Sequence, residues 1–276
     1  SSIQGLKPDK QLIVIGHQAK VVRDSLKSYT NLDFVLQEPQ IGTGHAIQQI
    51  IPQLKEFNGE LLVLNGDVPL LRKKTLSSLI KFHKESNAGV TFLSARLESP
   101  SGYGRVVANK SGLVREIIEE RECDNEQRKN NLINAGIYCF NWQKLLDVLN
   151  LLSNNNNQNE IYLTDTVSLL EKALHFEVED PLEVQGVNDR YQLSECEYHI
   201  QEKLKFFWMG KGVSFIDPIS CSLSEDSSFG TDVIIEPQTH LRGKCNIGNG
   251  CHLGPSSVIT NSTLADNVSA IHSFIN

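Results

Sequence analysis

Apolar positions along the chain change their rhythm twice. In the first half they come as short aliphatic bursts that stop at turn residues: Leu12–Ile15 before Gly16, Phe34–Leu36, Leu61–Leu64 before Asn65-Gly66-Asp67, Gly89–Leu93, and Asn134–Phe140. Such bursts predict strands. Between them, apolar residues recur at helical spacing. Ala46, Ile47, Ile50, Ile51 and Leu54 mark one helix, Leu76, Leu79 and Ile80 another, and Trp142, Leu145, Leu146, Val148 and Leu149 a third; a short helix is expected at 19–26. Strand and helix in alternation predict an α/β class built on a parallel sheet. The run Leu61–Leu64 predicts a strand buried on both faces. The alternation breaks at Gly102–Glu119, where two short strands flank Asn109–Gly112 and predict an antiparallel hairpin. Residues 120–131 and the Asn154–Asn157 tract are polar and predict exposed segments, Glu160–Asp165 opens a helix with Thr164 or Asp165 as its cap, and 176–178 and 183–187 predict short strands.

The second rhythm runs from Asn188-Asp189 to about Gly210. It predicts one long helix with the stripe Leu193, Cys196, Ile200, Leu204 and Phe207, placed as a connector. The third has a period of six. Phe229, Ile235, Leu241, Ile247, Leu253 and Ile259 keep step, and Val233, Thr239, Cys245, Cys251 and Ser257 precede the next large residue by two. One large and one small inward residue per hexad is the pattern of a left-handed parallel β-helix, where six residues form one side of a triangular coil. After Ile259 the phase slips by one residue at Leu264, which predicts an altered corner. The expected division is 1–188, a connecting helix at 189–211, and the coil at 212–276.

Composition narrows the classes. The 276 residues carry a net charge of −7 with no long basic run, which argues against nucleic acid as the main partner. The six cysteines lie without CxxC spacing, which predicts free thiols, no zinc site and a reducing, cytoplasmic compartment. No apolar run approaches the roughly 20 residues a membrane span needs.

Candidate chemistry gathers where the strands end. Asp67 stands at the carboxyl end of its strand, where open α/β sheets bind ligands. Its carboxylate suits Mg²⁺ shared with phosphates, and it equally suits a turn before Pro69. The loop Gln37–His45 carries Gly42 and Gly44 ahead of a helix, so its backbone N–H groups can meet an anion or a base edge; it also fits an ordinary strand-to-helix loop. His45, placed as the first helical residue, fits a capping or packing role.

In order, Gln37-x-x-x-x-Gly42-Thr43-Gly44-His45-Ala46, Gly66-Asp67-Val68-Pro69, Gly102-Tyr103-Gly104-Arg105, Ile117-x-Glu119, Ile133-Asn134-x-Gly136, Glu160-x-Tyr162-x-Thr164-Asp165 and Gly186-Val187-Asn188-x-Arg190 form a set. With the hexad tail, the set resembles the bacterial bifunctional family that acts as N-acetylglucosamine-1-phosphate uridyltransferase and glucosamine-1-phosphate N-acetyltransferase. The resemblance implies a Rossmann-like, GT-A-like nucleotidyltransferase domain followed by the coil. It implies Mg²⁺ on Asp67 and Asn188, the two residues placed in the catalytic role. Gln37, Gly42 and Thr43 would contact uracil and ribose, and Asn65 and Gly66 would line the nucleotide. Gly104, Glu119, Asn134 and Asn188 would contact the N-acetylglucosamine moiety, with Tyr103, Tyr162 and Thr164 behind them. Gly104 also fits a plain turn, and Asn134 a strand-end cap.

The implied partners are UTP, N-acetylglucosamine 1-phosphate and UDP-N-acetylglucosamine, with a homotrimer in the full-length parent. Departures from the family pattern set further expectations. Residues 1–40 lack the glycine-rich loop with Arg and Lys that holds the triphosphate, Met209 is the single Met, and the hexads are still running at Asn276. A chain trimmed at both ends is expected to perform no acetyl transfer and to have lost most or all uridylyl transfer. The other readings are a different sugar-1-phosphate nucleotidyltransferase, or a hexapeptide-repeat trimerisation module.

Overall fold

The computed structural model describes residues 3–276, which form two compact units divided after Gly186. In the first unit, β1 (Leu12–Ile15), α1 (Ala19–Ser25) and β2 (Asp33–Leu36) lead into α2 (Thr43–Ile50). β1 and β2 pair in parallel, as alternation with helices requires. Next come β3 (Glu60–Val63), α3 (Lys73–Ser86), β4 (Val90–Arg96), β5 (Arg105–Ala108), β6 (Val114–Ile118), β7 (Leu132–Asn141), α4 (Trp142–Leu149), α5 (Thr166–Leu169) and β8 (Ala173–Glu177). Six of these strands form one sheet in the order β6-β5-β7-β4-β8, with β3 also paired to β7. β8 runs parallel to β4, whereas β7 is antiparallel to β3, β4 and β5.

Apolar residues of β7 alternate between two cores. Tyr138 and Phe140 face the helices around Ile47, Trp142 and Leu145; Ile137 and Cys139 face Leu76 and Leu79 of α3. Helices therefore cover both faces of the sheet, and this central strand is apolar on each. Trp142, fully buried, donates its indole N–H to the Leu54 carbonyl at 3.3 Å, so its one polar atom is satisfied.

Three expectations are corrected here. β3 is half-buried along its length and pairs antiparallel with β7, not within a parallel sheet. A run of aliphatics reports apolarity; it does not report the direction of the neighbouring strand. The strand expected at 183–187 is a 3₁₀ turn, Pro181–Val184, because Asp180 caps it through the Leu182 N–H and Pro181 fixes a helical φ. The helix expected from Glu160 is delayed and short: a 3₁₀ turn at Leu163–Asp165 precedes the four-residue α5, and neither Thr164 nor Asp165 caps it with a side chain.

The second unit begins with α6 (Arg190–Met209), capped by the Asp189 carboxylate on the Gln192 N–H at 2.8 Å. Leu204 and Trp208 pack on the repeat core and Cys196 is buried, but Leu193 and Phe207 of the expected stripe are exposed. The strands β9 (Val213–Phe215), β10 (Ser228–Phe229), β11 (Val233–Ile235), β12 (His240–Arg242), β13 (Asn246–Ile247), β14 (His252–Leu253), β15 (Val258–Thr260), β16 (Thr263–Leu264), β17 (Ser269–Ala270) and β18 (Phe274–Ile275) form three parallel sheets. Each sheet is one side of the coil. Ile235, Leu253 and Ile259 are buried completely, as are Val233, Thr239, Cys245, Cys251 and Ser257. Ser228 pairs with Asn246, but Asn246 pairs with Thr263, so the pitch shortens from 18 to 17 residues where the phase slips. All six cysteines are free and buried, and no described helix is long and apolar enough to cross a membrane.

Candidate active site

An irregularity in β7 organises the polar end of the sheet. Phe92 of β4 faces Tyr138 and Ser94 faces Asn134, so two steps on β4 are matched by four on β7. The surplus forms a bulge around Gly136, whose φ of +72° favours glycine. A Cβ there would lie 2.3 Å from the Asn65 side-chain nitrogen, so the missing side chain leaves the Asn65 amide its place. The bulge also aims Asn134. Its carbonyl oxygen accepts from the Gly136 N–H at 3.1 Å and its amide donates to the Tyr138 hydroxyl at 2.6 Å. Its backbone N–H donates to Gly104 O at 2.9 Å.

Gly104 in turn flanks Glu119. The β5–β6 register sets Arg105 against Ile118, which puts the residue before β5 beside the residue after β6. A Cβ on Gly104 would come within 2.9 Å of Ile117 and 3.6 Å of a Glu119 carboxylate oxygen. Arg105, nearly fully buried, bonds the Tyr103 carbonyl and pairs with Glu120 at 2.8 Å, fixing the hairpin base. The other Glu119 oxygen accepts from the Thr164 hydroxyl at 2.7 Å. Burial pushes the Glu119 carboxyl above its ordinary value, the Thr164 hydrogen bond opposes this, and the charges of Asp165, Glu160 and Glu122 add to the rise.

The Gln37–His45 loop is laced to the segment that supplies Thr164. Ile161 N–H donates to Ile41 O at 2.7 Å, Gly44 N–H to Ile161 O at 2.8 Å, and Leu163 N–H to the Thr43 hydroxyl at 3.1 Å. Gly42 sits at φ +112°, and a Cβ on it would meet the Ile161 carbonyl oxygen at 2.4 Å. Gln37 donates to Gly42 O at 2.9 Å and closes the loop on itself. The helix starts at Thr43, so His45 lies inside its first turn instead of opening it; its ring nitrogens sit 3.3 Å from the Gln37 amide and 2.9 Å from the Gln49 amide. A cleft of about 340 Å³ lined by Gly16, Leu36, Gln37, Glu38, Pro39 and Gln40 opens beside the loop, at the lower end of the range for small-molecule sites. A larger hollow of about 510 Å³, along Ser77, Ile80, Lys81 and Lys84 of α3, holds none of the predicted site residues.

One connected web thus contains Gln37, Gly42, Thr43, Gly104, Glu119, Asn134 and Thr164, with Asn65 against Gly136. Tyr162 is buried within the laced segment and its hydroxyl accepts from Gln158 at 2.6 Å. Tyr103 is turned elsewhere: its hydroxyl accepts from the Gly186 N–H at 3.3 Å and it packs on the α3-side core. Gly66 and Asp67 follow Asn65 and are exposed. An exposed carboxylate at a strand end fits Mg²⁺, which keeps several waters and takes few protein ligands. Asn188 is exposed in the second unit, where its backbone N–H donates to the Gln192 side chain at 2.6 Å.

Sequence reasoning missed two partners. Tyr138 belongs to an apolar run in the sequence, yet it sits on the Asn134 face; the signal is Gly136 between them. Ile161 contributes through its backbone alone, which a pattern of side chains does not reveal.

Comparison with known proteins adds the following. Residues 6–182 match the family profile described as Nucleotidyl transferase, and residues 226–261 match Bacterial transferase hexapeptide (six repeats). Over its full length the chain is 77% identical to the Bifunctional protein GlmU of Prochlorococcus marinus (strain NATL2A) and covers 62% of that protein. It is 57% identical over 275 residues to the Bifunctional protein GlmU of Prochlorococcus marinus (strain MIT 9313), again covering 62%. The chain therefore spans about three-fifths of the length of these curated relatives. A solved UDP-glucose pyrophosphorylase complexed with UDP-glucose aligns with 64% of this chain and 76% of its own, at 16% identity and a TM-score of 0.49. The profile matched across the whole sheet-bearing unit places this chain in the nucleotidyl transferase family.

Proposed function

We propose that the first unit binds a uridine nucleotide and N-acetylglucosamine 1-phosphate for uridylyl transfer from UTP, with UDP-N-acetylglucosamine and pyrophosphate as products. The observation that carries this reading is the convergence of Glu119, Asn134 and Thr164 beside the side-chain-free Gly104. A carboxylate with one oxygen tied to Thr164, next to a glycine, offers its other oxygen to a sugar hydroxyl. The Asn134 amide is fixed at both ends, so it presents itself without paying for ordering at the moment of binding. Gln37, Gly42 and Thr43 line the uracil and ribose, with the cleft beside Gln37 taking the base. Asn65 and Gly66 lie under the nucleotide, and Tyr162 supports the sugar side. Tyr103, held on Gly186, acts by holding the Gly104 turn.

Asp67 and Asn188 would hold Mg²⁺, one carboxylate and one amide leaving most positions for water and phosphate oxygens. When bound, that ion supplies charge neutralisation on the phosphates. The protein's own work is alignment. A phosphate oxygen is already a nucleophile, so no residue here is asked to move a proton, and the catalytic gain comes from in-line placement. The coil of the second unit is assigned to trimer assembly, and the buried free thiols suit the cytoplasm.

The test is magnesium-dependent pyrophosphate release, measured on this chain and on this chain joined to the remaining length of the 77% identical relative. Asp67→Ala in the active form is expected to cost about a hundredfold or more. Normal turnover without Asp67 overturns the metal assignment. Competition by UDP-glucose equal to that by UDP-N-acetylglucosamine overturns the sugar assignment.

A further inference from the structure

A second cluster lies on the opposite face of the sheet from Asn134, and the reaction above makes no use of it. Glu60 opens β3, His83 sits in the last turn of α3, and Cys139 lies on β7. One ligand atom from each lies within 4.8 Å of the other two, and this is the single such trio of His, Cys and acid among the described residues. We propose that Glu60, His83 and Cys139 form a binding site for a borderline divalent transition ion of the Zn²⁺ type, tying β3, α3 and β7 together.

The donor set is the first argument. A thiolate, an imidazole and a carboxylate are the three side chains that bind Zn²⁺, and hard ions such as Mg²⁺ do not select sulfur. This site is therefore chemically distinct from the one assigned to Asp67. The spacing is the second. Donors of a tetrahedral site with bonds of about 2.0–2.3 Å stand roughly 3.3–3.8 Å apart. His83 Nε2 and a Glu60 oxygen are 2.9 Å apart, so a small outward swing of Glu60 admits the ion. The third is the support behind the ligands. His83 Nδ1 lies 3.0 Å from the Thr91 hydroxyl, which can accept an Nδ1–H and leave the Nε2 lone pair on the ion. That outer hydrogen bond is how proteins fix a ligating imidazole. His83 and Cys139 are buried, whereas the Glu60 side chain is about a quarter exposed, so entry and a fourth, water position lie on the Glu60 side.

Charge also balances. A thiolate and a carboxylate neutralise a divalent ion, and the positive Lys84 and Lys144 act on His83 from outside the trio. Burial holds the Cys139 thiol up at about 12 without an ion. Binding exchanges the S–H bond for a metal–sulfur bond and releases that proton to water.

The experiment uses the full chain stripped of metal, titrated with Zn²⁺ against a chromophoric chelator, and loaded separately with Co²⁺ for spectroscopy. One Zn²⁺ per chain is expected, with a rise in melting temperature, and the Co²⁺ form should show a thiolate-to-metal band in the near ultraviolet. Cys139→Ser should abolish that band, and Glu60→Gln should weaken Zn²⁺ binding by about tenfold. No Zn²⁺ uptake, a Co²⁺ form without the band, or unchanged affinity in Glu60→Gln overturns the proposal. If circular dichroism shows that Cys139→Ser is unfolded, Glu60→Gln decides alone, because its side chain reaches solvent and its replacement leaves the packed core intact.

Discussion

The coil of the second unit and the polar end of the sheet in the first treat buried polar groups in opposite ways. In the coil, Ser227, Val233, Thr239, Cys245, Cys251 and Ser257 occupy equivalent inward positions. Their common property is small size, and the hydroxyls of Ser227 and Thr239 are buried without a hydrogen-bond partner. At the sheet end, Asn134 and Thr164 are equally buried, yet each has a named partner at 2.6–2.7 Å. A repeat asks a position for volume. A binding site asks it for direction, and there the desolvation of a polar group is offset by aimed hydrogen bonds; in the coil Ser257 shares this property, its hydroxyl accepting from the Ser273 N–H at 3.0 Å.

The largest expected effect tests the volume side. Ile235 is fully buried and lies between Phe215 and Leu253 on neighbouring coils. Ile235→Ala should cost about 2–5 kcal/mol, because the stacked coils above and below cannot close on the cavity. Denaturant titration of the second unit's transition measures it. A cost near zero would mean the coil relaxes freely, and the volume argument would fail.

Next comes the direction side. Thr164→Val keeps the shape and removes the hydroxyl that Glu119 accepts from. The expected cost is about 1.5–3 kcal/mol at neutral pH, the range for a hydrogen bond to a charged group. The pH dependence carries the sign. Glu119 has its folded pKa raised by burial. Below the ordinary carboxylate value both folded and unfolded chains hold the proton, so the group contributes nothing. As pH rises above that value the unfolded chain releases the proton first. Stability therefore falls from there up to the raised folded value and then levels. Thr164→Val removes the hydrogen bond that opposes the rise, so it should widen this window upward. Glu119→Gln should flatten the slope, leaving the part owed to Asp165, whose carboxyl burial also raises. Melting temperatures across pH for the three chains decide it, and a slope unchanged in Glu119→Gln assigns the effect to another group.

The same contrast explains what was legible in the sequence. Period six is local arithmetic, so the inward residues of the coil, the phase slip at Leu264 and the start of the long helix at Asn188-Asp189 could be found without coordinates. The ordered motifs also marked Glu119, Asn134, Thr164 and the Gln37 loop. Their assembly was out of reach, because it depends on register. Gly104 meets Glu119 through the β5–β6 pairing, and Asn134 meets Tyr138 across a bulge that no apolar period encodes. The direction of β3 was hidden for a related reason: Leu61–Leu64 is equally apolar whichever way its neighbour runs. At Pro181 local chemistry won, since a capped proline turn outweighed the β-branched residues that suggested a strand.

The smallest effect separates the two regions most sharply, because it applies one chemical deletion in each and expects opposite signs. Ser227→Ala removes a hydroxyl as Thr164→Val does. Ser227 is 5% exposed and its hydroxyl has no partner, so its burial costs desolvation with nothing gained in return. Alanine fits the same inward position and leaves almost no void. The variant should be stabilised by up to about 1 kcal/mol, at the low end of the penalty for an unsatisfied buried hydroxyl. A loss comparable to that of Thr164→Val would show that Ser227, like Ser257, is held by direction, and the reading of this coil position as a demand for volume would have to be given up.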